Sequence, residues 1–524
     1  MAEPSRKTLE FRPEATAFQL DDLLKLVQRG KVRVPHFQRD MRWDESDRVD
    51  LLDSIHLGYP VGTLLLWKRA APAAVVRVGR LTITTDAAPD AHWVVDGQQR
   101  LTTLVDALLV PAVEPERAAY FDLAAERFLF LRKASPDAPL LPLGVVLDSK
   151  DLIRWLLKHD VAPELQDRAI EVGKRLREYR LPAYVVEAND AAIVRKIFDR
   201  TNRTGKRLSD VEVFDALFGA LEEGHDDPLD LLALSVAEQG YGAIERNTLL
   251  LALRAVGGLP LDRDFTAPLE ARKVELNELV DATRRALASA VEFLRVDARI
   301  PHASLLPYTL PVSVLARFFA LFPDPHPRSR RLLRRWLWRG VHGLALAGSS
   351  VGLRTHVEAV VAGEEAASVK GLLALAPRHQ RPEVTDVSSF SANTARSKAQ
   401  LCALAALAPR DLRTGEALPF RGAKRIPILD LAPKRSTGLE SRFLHEDTGA
   451  TAFTGLLATC ESDEVRESHG VSLDALVALR GGRLNDFLTL RGADLSALAG
   501  RFVAALAEHG HEDSPALDLL LLSA

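Results

Sequence analysis

Apolar residues recur along the first two hundred positions at two alternating periods, and the switches between them mark the elements. Leu20, Leu23, Leu24 and Val27 fall at helical spacing in AFQLDDLLKLVQRG and stop at Gly30, which predicts a helix with one buried stripe. KVRVPHFQRDMRW reads as extended, punctuated by Pro35. DESDRVDLLDSIHLGYP opens on acids, carries Val49, Leu52 and Ile55 on one face, and ends at Gly58 and Pro60, as a second helix would. VGTLLLWK, RLTITTD and AHWVVD are short strands. RLTTLVDALL is a helix, with Leu101, Leu104, Val105 and Leu108 at i, i+3, i+4 and i+7. AAYFDLA and RFLFLRK predict a hairpin, and RLPAYVVEA a further strand. DAAIVRKIFDRTN and SDVEVFDALFGAL are helical, the latter with Ser209 and Glu212 spaced for a capping box.

Beyond about residue 225 the strand signals fade, and Leu and Ala periodicity predicts helices as far as about 370, with a Pro-marked loop at 322–330. The stretch 380–450 is mixed and loop-rich, and three helices close the chain: SLDALVALRGG, RLNDFLTLRGA and DLSALAGRFVAALAEHG. An α+β class follows, with an alternating strand–helix domain over 15–225, a helical domain over 226–370 and a third domain over 371–524. A length of 524 residues suits three such units. No internal repeat or low-complexity tract is present.

Composition narrows the partners. The 68 basic and 71 acidic side chains give a formal net charge of -3, which excludes a globally basic nucleic-acid coat and leaves only local patches. Cys402 and Cys460 are too few for a disulfide framework or a cysteine-rich zinc site, as expected of a reducing cytoplasm. The first residues lack the apolar core of a signal peptide, and no apolar run approaches the ~18 residues of a membrane span, so a cytoplasmic protein without a membrane partner is expected.

The chemistry concentrates where VVDGQQRLTTL passes from strand to helix. A helix start exposes backbone N–H groups and favours an anion. Gly97 permits close approach of a ligand to the backbone. Arg100 offers a fork of donors suited to phosphate, Gln98 and Gln99 offer donors and acceptors, and Asp96 suits a magnesium ion or an attacking water. A plain strand–turn–helix, with Asp96 or Thr102 as a cap, explains the same spacing. Two other basic stretches compete for function. RTNRTGKRLS fails as a Walker loop, because Arg200 stands where a glycine is needed and Arg207 where Ser or Thr is needed. In RSRRLLRRWLWRG, Arg328, Arg331, Arg335 and Arg339 form one helical stripe that either tracks a phosphate backbone or pairs with nearby acids.

Four ordered segments carry a family resemblance across roughly residues 15–225. VPHFQRDMRWDESDRVDLLDSI, GYPVGTLLLW, DGQQRLTTL and IFDRTNRTGKRLSDVEVFDAL resemble the successive motifs of the N-terminal domain of GmrSD-type restriction proteins, which share a ParB/sulfiredoxin-like fold. The resemblance implies a nucleoside triphosphate with Mg2+, bound by Gly97, Gln98, Gln99, Arg100 and Thr102, with Gln38 and Arg39 alongside and Asn202 and Lys206 closing the far side. It gives catalytic roles to Asp96 and Arg100 and implies DNA as a partner in an anti-phage restriction system. Gln98 stands where sulfiredoxins have their cysteine, so thiolate chemistry is excluded there. Hydrolysis of the nucleotide, a nucleotide-gated switch without hydrolysis, and a nuclease in the tail all stay open, as does a homo-oligomer or partner subunit. Relatives often end in an HNH nuclease domain. The tail histidines His379, His445, His469, His509 and His511 show no paired His–Asn spacing, so a degenerate version of that region is expected.

Overall fold

The computed structural model describes residues 14–34, 43–110, 118–131, 139–159, 161–187, 210–211, 214, 227–261, 265, 269, 275–342, 345–347, 350–376, 385–420, 425–433, 436–445, 449–516 and 519. The chain divides into two compact units, Met1–Asp227 and Pro228–Ala524. The architecture is mixed α and β.

In the first unit the elements run β1 (Glu14–Gln19), α1 (Leu20–Gln28), β2 (Val32–Arg33), α2 (Glu45–Leu57), β3 (Leu64–Ala71), β4 (Ala74–Val78), β5 (Leu81–Thr85), β6 (Ala88–Asp96), α3 (Gln98–Leu108), β7 (Ala118–Asp122), β8 (Arg127–Leu131), β9 (Leu140–Pro142), α4 (Ser149–Lys158), α5 (Pro163–Glu178) and β10 (Arg180–Val186). A five-stranded sheet takes the order β1-β10-β3-β6-β2. Its outer pairs are β1 with β10, antiparallel, and β6 with β2, parallel. Centrally, β3 runs parallel to β10 and antiparallel to β6. Central β3 buries four successive residues, Leu64 to Trp67, as a strand covered on both faces must. The helices α1 and α3 bury Leu20, Leu23, Leu24 and Val27, and Leu101, Leu104, Val105 and Leu108, in one apolar core. The expected hairpin is present as β7 and β8, antiparallel and joined to β9.

Helix α2 starts at a reciprocal capping box: Asp44 accepts from Asp47 N at 3.0 Å and Asp47 accepts from Asp44 N at 3.1 Å. It ends at Gly58 in the left-handed region, φ 76°. The β4–β5 hairpin is fastened to α3 at Asp106, which is buried and accepts from Arg80 N at 2.8 Å. Gly79, φ 58°, is required at that turn, since a β-carbon would overlap the Asp106 carboxylate. Burial holds the Arg48 guanidinium below its usual range, an effect opposed by Asp106 and increased by Arg80.

The second unit comprises α6 (Pro228–Glu238), α7 (Arg246–Val256), α8 (Leu276–Val296), α9 (Leu310–Leu321), α10 (Pro327–His342), α11 (Ser350–Glu358), α12 (Glu365–Ala374), α13 (Ala395–Ala405), β11 (Leu429–Asp430), β12 (Arg442–Phe443), α14 (Ala450–Thr459), α15 (Asp463–Ser468), α16 (Leu473–Arg480) and α17 (Leu484–Ala507). Helix α10 packs on both α12 and α17, so the division expected at residue 370 falls inside this unit. The last two expected helices are one, because α17 runs 24 residues straight through Gly492. The Pro-marked loop is shorter than expected, since Pro327 already begins α10. No helix among the described residues is long and apolar enough to cross a membrane.

Candidate functional site

The junction between β6 and α3 is built from both sides of the central strand pair. Register between β3 and β6 slips next to the junction: Leu66 faces Val94 while Leu65 faces Asp96, so Val95 is an extra residue in β6. Such an irregularity bends the strand end and re-aims the side chain that follows. Gly97 then turns the chain at φ 92°, ψ 14°, and serves as the N-cap of α3. A β-carbon there would overlap Leu64 Cδ2, and Leu64 is fully buried. Glycine is therefore set at this position by both conformation and space. Because Gly97 has no side chain, the amino end of α3 carries no side-chain cap from it.

Helix α3 begins at Gln98, two residues before the expected helical stretch RLTTLVDALL. Gln98, Gln99 and Arg100 therefore form its first turn, and all three are half-buried. The first intrahelical bond runs from Leu101 N to Gly97 O at 3.0 Å. Arg100 folds back across the junction. Its Nη2 donates to Asp96 Oδ2 at 3.2 Å, and its Nη1 donates to Val61 O at 3.2 Å. The Arg100 side chain is 14% exposed and that of Asp96 32%. Both groups thus reach the surface, already paired with each other. Thr102 is half-buried and directs its methyl towards the turn at Gly79.

Sequence reasoning passed over Val61 and Gly62. Gly62 sits at φ 82°, and a β-carbon there would lie 2.8 Å from Arg100 Nη1. Together Gly62 and Gly97 leave the slot in which the guanidinium lies. The signal was the second glycine of GYPVG, just ahead of the apolar strand. Gln38, Arg39, Asn202 and Lys206 lie outside the described residues, as do Ser209 and Glu212 of the expected capping box. Among the described residues no group of three or more His, Cys, Asp or Glu side chains could hold a metal ion. Magnesium needs fewer, because it commonly takes one or two carboxylates with phosphates and waters. Asp96 meets that minimum, with its Oδ2 shared with Arg100.

Two members of the α10 arginine stripe, Arg335 and Arg339, are turned inward. Arg335 donates from Nε to Glu508 Oε2 at 2.6 Å and from Nη1 to Asp513 Oδ1 at 2.9 Å. Arg339 donates to Asp513 Oδ2 at 2.6 Å and to the carbonyls of Ala507 and Glu508 at the carboxyl end of α17, where a helix dipole favours a cation. Arg335 and Arg339 are each 2% exposed. Arg328 donates to the Ser514 and Glu512 carbonyls at 3.0 and 2.6 Å. Of the two readings of the stripe, Arg335 and Arg339 take the second, pairing with acids and carbonyls inside the unit, and half-buried Arg328 spends its Nε and Nη2 on carbonyls there. Arg331 alone of the four is exposed.

In the tail, His445 and His469 are buried beside Phe453. His469 shares a hydrogen bond of 2.7 Å between its Nε2 and Arg410 O, and burial pushes its pKa down to about 4. Neither buried ring is open to solvent, as a nuclease base would need to be. His379 lies outside the described residues.

A family model described as GmrSD restriction endonuclease, N-terminal domain, matches residues 20–219, a span that contains β6, the junction and α3. No curated protein matches the chain.

Proposed function

We infer, from residues 20–219 belonging to the GmrSD restriction endonuclease N-terminal domain family, that the protein is part of a restriction system and acts on DNA. We further propose that this domain, with a ParB/sulfiredoxin-like arrangement, binds a nucleoside triphosphate at residues 96–102 and hydrolyses it. The observation that carries this reading is the junction itself: a helix start without a side-chain cap, entered through a positive-φ glycine, beside an arginine held in a glycine-lined slot. Those are the features that receive a polyphosphate.

In this reading the phosphates lie against the first turn of α3. Arg100 exchanges its bond to Asp96 for phosphate oxygens while the Val61 carbonyl keeps its direction. The freed Asp96 carboxylate orients the attacking water or helps to hold Mg2+, and Gln38, Arg39, Asn202 and Lys206 complete the grip. When bound, Mg2+ neutralises charge on the phosphates. The nucleotide state then controls action on DNA.

A switch without hydrolysis is favoured by one feature: the Asp96–Arg100 pair holds both catalytic candidates in a mutual contact. Phosphate release from several nucleoside triphosphates, measured with magnesium for the parent, Asp96→Ala and Arg100→Ala, separates the readings. Release by the parent that both substitutions abolish supports hydrolysis. Binding without release supports the switch, and no binding of any triphosphate ends both.

A further inference from the structure

A cavity of about 600 Å³ opens in the second unit, a size ordinary for small-molecule sites of roughly 300–1,000 Å³. Helix starts converge on it. Glu245 and Thr309 in its wall are the N-cap residues of α7 and α9, and Asn393 immediately precedes Thr394, the N-cap of α13. Neither Glu245 nor Thr309 caps its helix with its side chain. At α9 Pro311 has no N–H to offer and Val312 N already donates to Thr309 O at 3.0 Å, so the positive end of α7 is the more open to another acceptor.

Two cations line the same cavity, Lys398 from the first turn of α13 and Arg425 from the segment before β11. Lys398 Nζ donates to Leu306 O at 3.0 Å, which uses one of its three donors. Burial, and next the Arg425 charge, hold the Lys398 ammonium below the usual lysine range, with Cys402 and Glu245 opposing. Among the described residues Glu245 is the one carboxylate in this wall, against the two cations Lys398 and Arg425, so the half-enclosed space keeps an excess positive charge that a further anion between the cations stabilises. The remaining wall includes Ile244, Leu306 and Ile426, which suits an uncharged, apolar body.

We propose that this cavity binds a phosphate-bearing small molecule of mononucleotide size, its phosphate between Lys398 and Arg425 and its apolar part against Ile244 and Ile426. A phosphate, with three acceptor oxygens, matches two cations and the start of α7 better than a carboxylate does. The site is independent of the junction at 96–100.

The test uses the full chain carrying Arg100→Ala, so that the junction does not contribute. Deoxythymidine monophosphate and inorganic phosphate are titrated calorimetrically at low ionic strength. Saturable binding of the nucleotide is expected, weakened about tenfold or more by Arg425→Ala and by Lys398→Gln. Arg425 is exposed, so its substitution leaves folding intact and its result stands alone. Binding of inorganic phosphate with no gain from the nucleoside overturns the assigned ligand size. No uptake of either probe, or unchanged affinity in Arg425→Ala, overturns the site.

Discussion

Arg339 Nη1 donates to Asp513 Oδ2 at 2.6 Å across 174 residues of sequence, from a side chain only 2% exposed. The other oxygen of that carboxylate receives Arg335 at 2.9 Å. Removing Asp513 takes the carboxylate partner of Arg339 and one of two for Arg335, leaving Arg335 with Glu508 and Arg339 with backbone carbonyls, and breaking a buried pair typically costs about 3 kcal/mol. Asp513→Ala is expected to lower the urea midpoint of the second unit, read by Trp336 and Trp338 on the same helix. An unchanged midpoint would show that the pairs add nothing to stability.

Gly97→Ala tests the turn at the junction. The positive φ alone costs about 1–2 kcal/mol, and the added carbon meets Leu64. Thermal unfolding of the first unit is expected several degrees below the parent, and triphosphate binding is expected to fall with it. Parent-like values for both would mean that the backbone adapts without loss.

Arg100→Lys separates charge from shape. A lysine keeps the positive charge but cannot reach Asp96 and the Val61 carbonyl with one rigid fork. Triphosphate affinity is expected to drop about tenfold, in line with a lost charge-assisted hydrogen bond. Equal affinity in the two proteins would reduce Arg100 to a bare charge.

Acid should weaken the second unit through His469. Its pKa falls from 6.5 to about 4 on burial, so the unfolded chain binds the proton more readily. Stability from this group is complete above pH 6.5 and is lost as pH falls towards 4, by on the order of 3 kcal/mol in full. His469→Gln, which keeps a donor for the Arg410 carbonyl, is expected to flatten the slope of unfolding midpoint against pH in that window. Identical slopes would place the acid sensitivity elsewhere.

Elements with a clean period were legible in the sequence. The stripe Leu101, Leu104, Val105, Leu108 is the buried face of α3, and the β7–β8 hairpin and β10 stand where alternation placed them. Strand β1 was missed, because Glu14–Gln19 mixes polar and apolar residues with none fully buried, and its pairing with β10 is fixed by contacts far along the chain. Gly492 reads as a helix end but lies inside α17, where tertiary packing overrides a weak local preference. The arginine stripe was visible as a stripe. Its acids were not, since Glu508 and Asp513 lie some 170 residues away and no local spacing links them. At the junction the residue types were legible, whereas the slot formed by Gly62 and the Val61 carbonyl depends on a neighbouring strand.

The inward arginines of α10 also impose an order on biosynthesis. A ribosome completes that helix long before it reaches the carboxylates at 508 and 513. Until then the nascent segment carries cations that no apolar interior will accept, so the helix must stay wet and the unit unfinished. Maturation of the second unit is thereby tied to translation of Glu508 and Asp513.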